Sequence, residues 1–253
     1  MAYLPDNNLN YPVHIQIGGS TGSGFHLRTE TALWLITAKH VLFRADGTLY
    51  NNTAETTSFW AKFSARNLIS LDLAVLTAAG SVRRHAAADV AAIKLMTIAA
   101  GAATGESDPG VTATIPQGSH LVGVNALETV LPFDEVGISN EAFLFGYPVS
   151  IGHAGQLEPD KPLIRRGAIA GLNEANRTII LDAPSYQGNS GGLVVECIDE
   201  VFERRFRAIG IAVAFVPFYE KMQSLHFKTV NTNIENSGYT IVEPIDKILE
   251  TIA

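Results

Sequence analysis

The stretch "SYQGNSGGLVV", residues 185–195, sets one serine among glycines and an asparagine and then runs into an apolar strand. A serine hydroxyl is a poor nucleophile at neutral pH. To attack a carbonyl it needs a base within hydrogen-bond reach, a group that orients the base, and donors aimed at the developing oxyanion. The glycines around Ser190 allow a turn tight enough for successive amides to converge, which makes the N–H groups of Gly188 and Ser190 the candidate donors. The candidate base is His40, just after the apolar run of "WLITAKHVL", and the candidate orienting acid is Asp72, at the head of "DLAVL". Taken singly, each has an ordinary structural reading: a glycine-rich turn, a histidine at a strand end, an aspartate capping a turn. Taken together they run in the order His, Asp, Ser.

The elements that must position these residues are mostly strands. In "VHIQI" the apolar Val13, Ile15 and Ile17 alternate with His14 and Gln16, the period of a half-buried strand, and "GGSTGSG" then turns the chain. "FHLRTETALWLITA" holds two further strand candidates and "DLAVLTA" another. From Ser81 to about Ala103 the Ala-rich "SVRRHAAADVAAIKLMTIAAGAA" has few β-branched residues and predicts a helix. "TGESDPGVTATIPQGSH" follows, dense in turn formers. Strand patterns resume at "EAFLFGYP", "LIRRGAIAGL", "RTIILDAP", "GLVVECI" and "RFRAIGIAVAF". The chain closes on "EPIDKILETIA", where Ile245, Ile248, Leu249 and Ile252 share one helical face behind Pro244. The organisation expected is therefore a β unit over 1–80 carrying His40 and Asp72, a linker or insertion over 81–130, and a second β unit with a terminal helix over 131–253 carrying Ser190.

The order of the motifs and their flanks resembles the chymotrypsin-like (trypsin-like) serine peptidases, most closely the bacterial HtrA-type trypsin-like peptidase domain. The likeness is carried by "GSGF" at 22–25, "ITAKHV" at 36–41, "DLAVL" at 72–76, "FGYP" at 145–148 and "GNSGG" at 188–192. The resemblance implies an all-β fold of two six-stranded antiparallel barrels with the active site in the cleft between them. It implies that Ser190 attacks the scissile carbonyl, that His40 takes and later returns the proton, and that Asp72 fixes the imidazole, with the Gly188 and Ser190 amides as oxyanion hole. It places the primary specificity pocket near Pro184 and along Ile211, Ala212 and Val213, whose backbone would pair with an extended peptide or protein substrate. Neither segment carries a carboxylate, so a small or apolar P1 residue is expected; Asp182 lies further upstream. Asn189 stands where many secreted relatives have aspartate, and its side-chain hydrogen bonds are expected to hold the loop. His153 is a lesser candidate for substrate contact on a rim loop.

Composition narrows the alternatives. A net charge of −7 without a dense basic block argues against nucleic-acid binding. Cys197 is the only cysteine, so no intrachain disulfide can form, which fits a reducing, cytoplasmic setting. The amino terminus lacks a secretory pattern, and the most apolar segment is broken by Asp89 and Lys94, so no membrane span is expected. His14, His26, His85, His120 and His226 have no metal-ligand spacing, and no metal or other cofactor is expected. The chain ends after one helix, from which a proteolytic module without an appended PDZ domain is expected, with a separate regulatory protein as a possible partner. The rival reading is a catalytically silent or latent peptide-binding module on the same fold, its loops 149–160 and 184–189 ordering only on a partner.

Overall fold

The computed structural model describes residues 4–61, 63–99, 102, 105–149, 157–199, 203–223 and 226–253. Its first β unit is built from β1 (Pro12–Ile17), β2 (Ser20–Arg28), β3 (Ala32–Thr37), the single-turn α1 (Lys39–Leu42), β4 (Thr53–Trp60), β5 (Ala65–Asp72), α2 (Leu73–Ala78), β6 (Val82–Arg84), β7 (Ala91–Ile98), β8 (Gly105–Ser107), β9 (Val111–Thr114) and β10 (Val124–Asn125). These strands make one sheet in the order β6-β7-β3-β2-β1-β4-β5-β9, with β8 on β7 and β10 parallel to β2. The second unit, β11 (Glu141–Gly146), β12 (Leu163–Asn173), β13 (Thr178–Asp182), β14 (Leu193–Asp199), β15 (Arg204–Gln223) and β16 (Val230–Pro244), closes into a six-stranded barrel ordered β11-β12-β13-β16-β15-β14. The helix α3 (Ile245–Ile252) follows directly.

The all-β expectation and the amphipathic terminal helix hold, while three details are corrected. The first unit is a ten-stranded sheet, so only the second is the six-stranded barrel that was anticipated. The Ala-rich segment is not a helical insertion. It forms β7, paired with β3 from Ala32↔Thr97 to Thr37↔Ala91, and residues 81–130 contribute β6 to β10 to the first sheet instead of linking two units. Alanine's helix propensity amounts to a few tenths of a kcal/mol per residue, and burial of a strand on both sides outweighs it. Ala91, Ala92, Ile93 and Leu95 are fully buried, the two alanines among them. Finally, "DLAVL" is α2, not a strand.

One apolar core runs through the first sheet and continues into the barrel and terminal helix, joining Phe25, Leu35 and Ile93 to Phe145, Leu193, Ile211, Ile245 and Ile248. A second core, with Leu144, Ile179, Leu181 and Val242, fills the barrel. The shared core fixes the two sheets against each other, which is what lets a loop of one meet a loop of the other.

Candidate active site

His40 lies in the short turn α1 that leaves β3, and its imidazole is half-exposed. Its Nδ1–H donates to Asp89 Oδ2 at 2.6 Å, and its backbone N–H donates to Asp89 Oδ1 at 3.0 Å. The two bonds hold the ring at both ends of one carboxylate and leave Nε2 as the free acceptor. Burial raises the Asp89 pKa, but the hydrogen bonds and charge of His40, with Lys39 behind them, outweigh it and set the carboxyl below its ordinary value. Asp89 is therefore ionised at neutral pH.

Asp72, the expected partner, is elsewhere. Its Oδ1 accepts from the N–H groups of Ala74 and Val75 at 3.1 and 3.0 Å, so the carboxylate caps α2. The correction has a plain cause: four helix N–H groups need acceptors at the start of a helix, and an aspartate placed there supplies one.

The loop carrying Asp89 is itself built with care. His85 Nδ1 accepts from the N–H groups of Ala87 and Ala88, and its Nε2–H donates to Glu250 of α3 at 3.0 Å. Lys39 Nζ donates to the His85 carbonyl at 3.0 Å. The Asp89 N–H donates to Glu243 Oε1 at 3.2 Å, and Glu243 Oε2 is paired with Lys247 Nζ at 3.0 Å. The acid thus comes from the first unit but is steadied by the last residues of the second. His40, Arg44, Arg84, His85 and Asp89 border an open hollow of ≈ 700 Å³ on this side.

Ser190 comes from the turn between β13 and β14, which is stitched to the first sheet. Ser23 Oγ donates to the Gly188 carbonyl at 2.6 Å and Ser23 N–H to the Ser190 carbonyl at 2.8 Å. Gly191 has φ +84°, and a Cβ there would lie 2.1 Å from Ser23 O and 2.3 Å from Thr37 Oγ1, so only glycine permits this approach. The same contact touches the Ala38 nitrogen, two residues before His40, which brings the serine turn beside the histidine turn. The N–H groups of Gly188 and Ser190 donate to no described residue, whereas those of Asn189, Gly191 and Gly192 are all engaged. The turn thus keeps two donors, the amides on either side of Asn189, without an acceptor among the described residues. Among the described residues, no hydrogen bond joins the Ser190 hydroxyl to the imidazole.

Two further expectations change. The buried Asn189 holds the loop through its backbone, N–H to the Tyr186 carbonyl and carbonyl from the Gly192 N–H, while its Oδ1 has no partner among the described residues. Ile211 and Ala212 do not present free backbone: Ile211 is in register with both Leu193 and Glu243, and Ala212 exchanges bonds with Gly191 and Gly192. From Val213 onward β14 is gone and that edge of β15 is open. Pro184 is half-buried, between the Ala183 and Ser185 carbonyls that Thr240 and Asn236 of β16 hold. Asp182 is exposed on β13. His153 and most of the 149–160 loop lie outside the described residues.

The trypsin-like peptidase domain family matches residues 22–202 of the chain. The protein belongs to that family. Among solved structures it resembles the HtrA-type protease AlgW with a tripeptide, at a TM-score of 0.51 and 15% identity over 96% of this chain and 59% of that one. It also resembles a serine-to-alanine variant of AlgW with a tripeptide, at a TM-score of 0.50 and 14% identity over 98% of this chain and 62% of that one. The chain thus spans about three-fifths of the length of those proteins, and at such identity the likeness is one of fold. No curated protein matches the sequence.

Sequence reasoning missed Asp89 although the signal was present. "DVAAIKL" is an aspartate heading an apolar run just as "DLAVL" is, but the Ala-rich surroundings had assigned it to a helix.

Proposed function

We propose that this member of the peptidase family is a serine endopeptidase in which Ser190 is the nucleophile, His40 the general base and Asp89 the orienting acid. What supports the reading above all is the paired hold of Asp89 on His40, which leaves Nε2 without a described partner in a turn that adjoins, at Ala38, the serine turn whose Gly188 and Ser190 N–H groups are unspent. In the proposed reaction Ser190 Oγ attacks the scissile carbonyl as its proton passes to His40 Nε2. The resulting imidazolium is stabilised by the Asp89 carboxylate, and the oxyanion by the two amides. The imidazolium then protonates the leaving amine, and water hydrolyses the acyl-enzyme by the same route in reverse. The substrate's backbone pairs with the open edge at Val213 to Phe215, and its P1 side chain, small or apolar, sits against the Pro184 segment, which carries no carboxylate between residues 183 and 187.

The Ser190 hydroxyl's lack of a hydrogen bond to the imidazole favours a second reading, a latent module whose site closes only with peptide or partner bound. A fluorophosphonate probe tests both. The wild-type protein is expected to be labelled at Ser190 and Ser190→Ala not at all. Labelling that needs an added peptide indicates latency, and none under any condition overturns the enzyme reading.

A further inference from the structure

The longest strands of the molecule run past the barrel. β14 leaves β15 at Leu193↔Ile211, yet β15 and β16 continue as a two-stranded ribbon to Gln223↔Val230. An isolated two-stranded ribbon is marginal in water unless a third strand or another layer covers it. This one is also conspicuously apolar: Phe218, Tyr219, Met222, Val230 and Ile234 are each more than half exposed. Register sorts them onto both faces, since Tyr219↔Ile234 and Gln223↔Val230 share one face while Phe218↔Glu235 and Met222↔Asn231 share the other. Exposed apolar patches of this kind mark interaction sites.

The position of the ribbon says what it meets. Its open edge begins at Val213, the residue after the one whose carbonyl accepts the Gly191 N–H, so it starts at the serine turn and leads away from it in one direction. No described residue donates to or accepts from the backbone of residues 213–223 on that edge. From Val213 to Gln223 it offers about 33 Å of strand, ten steps at roughly 3.3 Å. Pro217 lacks an N–H, which removes one donor and guards against indiscriminate pairing without closing the edge.

We propose that the ribbon is a prolonged substrate-binding edge. It takes an extended polypeptide segment of about ten residues, apolar at alternate positions, continuous with the residues at the scissile bond. The backbone adds as a third strand, and the apolar side chains, all on one face of that strand, rest on Phe218 and Met222 or, in the other register, on Tyr219. The inference rests on the proposed peptide-cleaving site and concerns how far its recognition reaches. A second copy of the chain is the competing occupant, but it has no reason to begin at the serine turn.

Fluorescein-labelled peptides and the Ser190→Ala protein test this by anisotropy. Each peptide has a short Ala/Val core, extended at one end or the other by alternating Leu and Ser or by Gly and Ser alone. The Leu/Ser extension is expected to tighten binding roughly tenfold at one end of the core only. The gain is expected to vanish with Phe218→Ser/Tyr219→Ser/Met222→Ser added. N-methylation of the extension at alternate residues separates loss of pairing from a misfolded ribbon, because it should abolish the gain in one register and spare it in the other. An equal gain at both ends, an equal gain with Gly/Ser, or insensitivity to N-methylation in both registers overturns the proposal. So does concentration-dependent dimerisation of the wild type that the triple substitution removes while no peptide gain exists. Fluorophosphonate labelling of the wild type without a one-sided gain defeats the ribbon alone; no labelling together with a one-sided gain defeats the catalytic reading alone.

Discussion

Two aspartates in this chain head apolar runs that look alike in one dimension and serve opposite purposes in three. Asp72 precedes "LAVL", which coils into α2, and the carboxylate turns back onto the Ala74 and Val75 N–H groups of its own helix. Asp89 precedes "VAAIKL", which extends into β7, and its carboxylate turns outward onto His40, forty-nine residues away in sequence. What distinguishes them is the fate of the following segment. A helix consumes the acid at its own N-terminus, whereas a strand satisfies its backbone with neighbouring strands and leaves the acid free for another part of the fold. A carboxylate's availability for chemistry is therefore settled by the hydrogen-bonding needs of its own neighbours.

The sharpest way to break the comparison is to neutralise each acid in turn. Asp89→Asn is expected to lower kcat/KM by roughly 10³ to 10⁴, because an amide no longer fixes the Nδ1–H tautomer or stabilises the imidazolium. Steady-state rates on any peptide cleaved by the wild type measure this. A loss of less than about tenfold would return the acid's role to some other group. The labelling rate with a fluorophosphonate should fall in parallel, since acylation and phosphonylation both need the base.

The intermediate effect falls on stability and belongs to Asp72. Asp72→Ala removes a cap that satisfies two helix N–H groups and is expected to cost about 1 kcal/mol in chemical denaturation. Its kcat/KM should stay within about twofold of the wild type, a bound set by the residue's distance from any role in proton transfer. If instead Asp72→Ala abolishes peptide cleavage while remaining folded, the two aspartates have been assigned the wrong way round.

The contrast also explains how much could be read in advance. That Ser190 sits in a tight glycine turn and His40 at the end of an apolar strand was legible because each is announced by its immediate neighbours: glycines at the serine turn, an apolar run before the histidine. The barrel strands other than β16 were legible for the same reason. The contact of Asp89 with His40 was not, because a helix-favouring Ala-rich composition is a local signal, and β7 owes its conformation to pairing with the sequence-distant β3 as well as with its neighbours β6 and β8. Ile211 and Ala212 were misjudged through another long-range fact, the point at which β14 parts from β15. The ribbon beyond Phe215 carried no periodic pattern that distinguishes it from loop, since its apolar residues fall on both faces.

The smallest expected effect concerns pH and separates the two acids by linkage. The folded-state pKa of Asp89 is depressed, the interactions with His40 outweighing the opposing effect of burial. A carboxyl whose folded pKa lies below its unfolded value stabilises the fold above the unfolded value, near 3.8, and that contribution disappears as pH falls through the folded pKa. Denaturant midpoints of the wild type and Asp89→Asn should therefore differ at neutral pH and converge once the medium is acidic enough to protonate Asp89 in the folded protein. A difference that persisted undiminished at that acidity would show that asparagine destabilises by sterics or lost geometry alone. The bond from Asp89 to His40 would then orient the ring without contributing the charge that the proposed imidazolium requires.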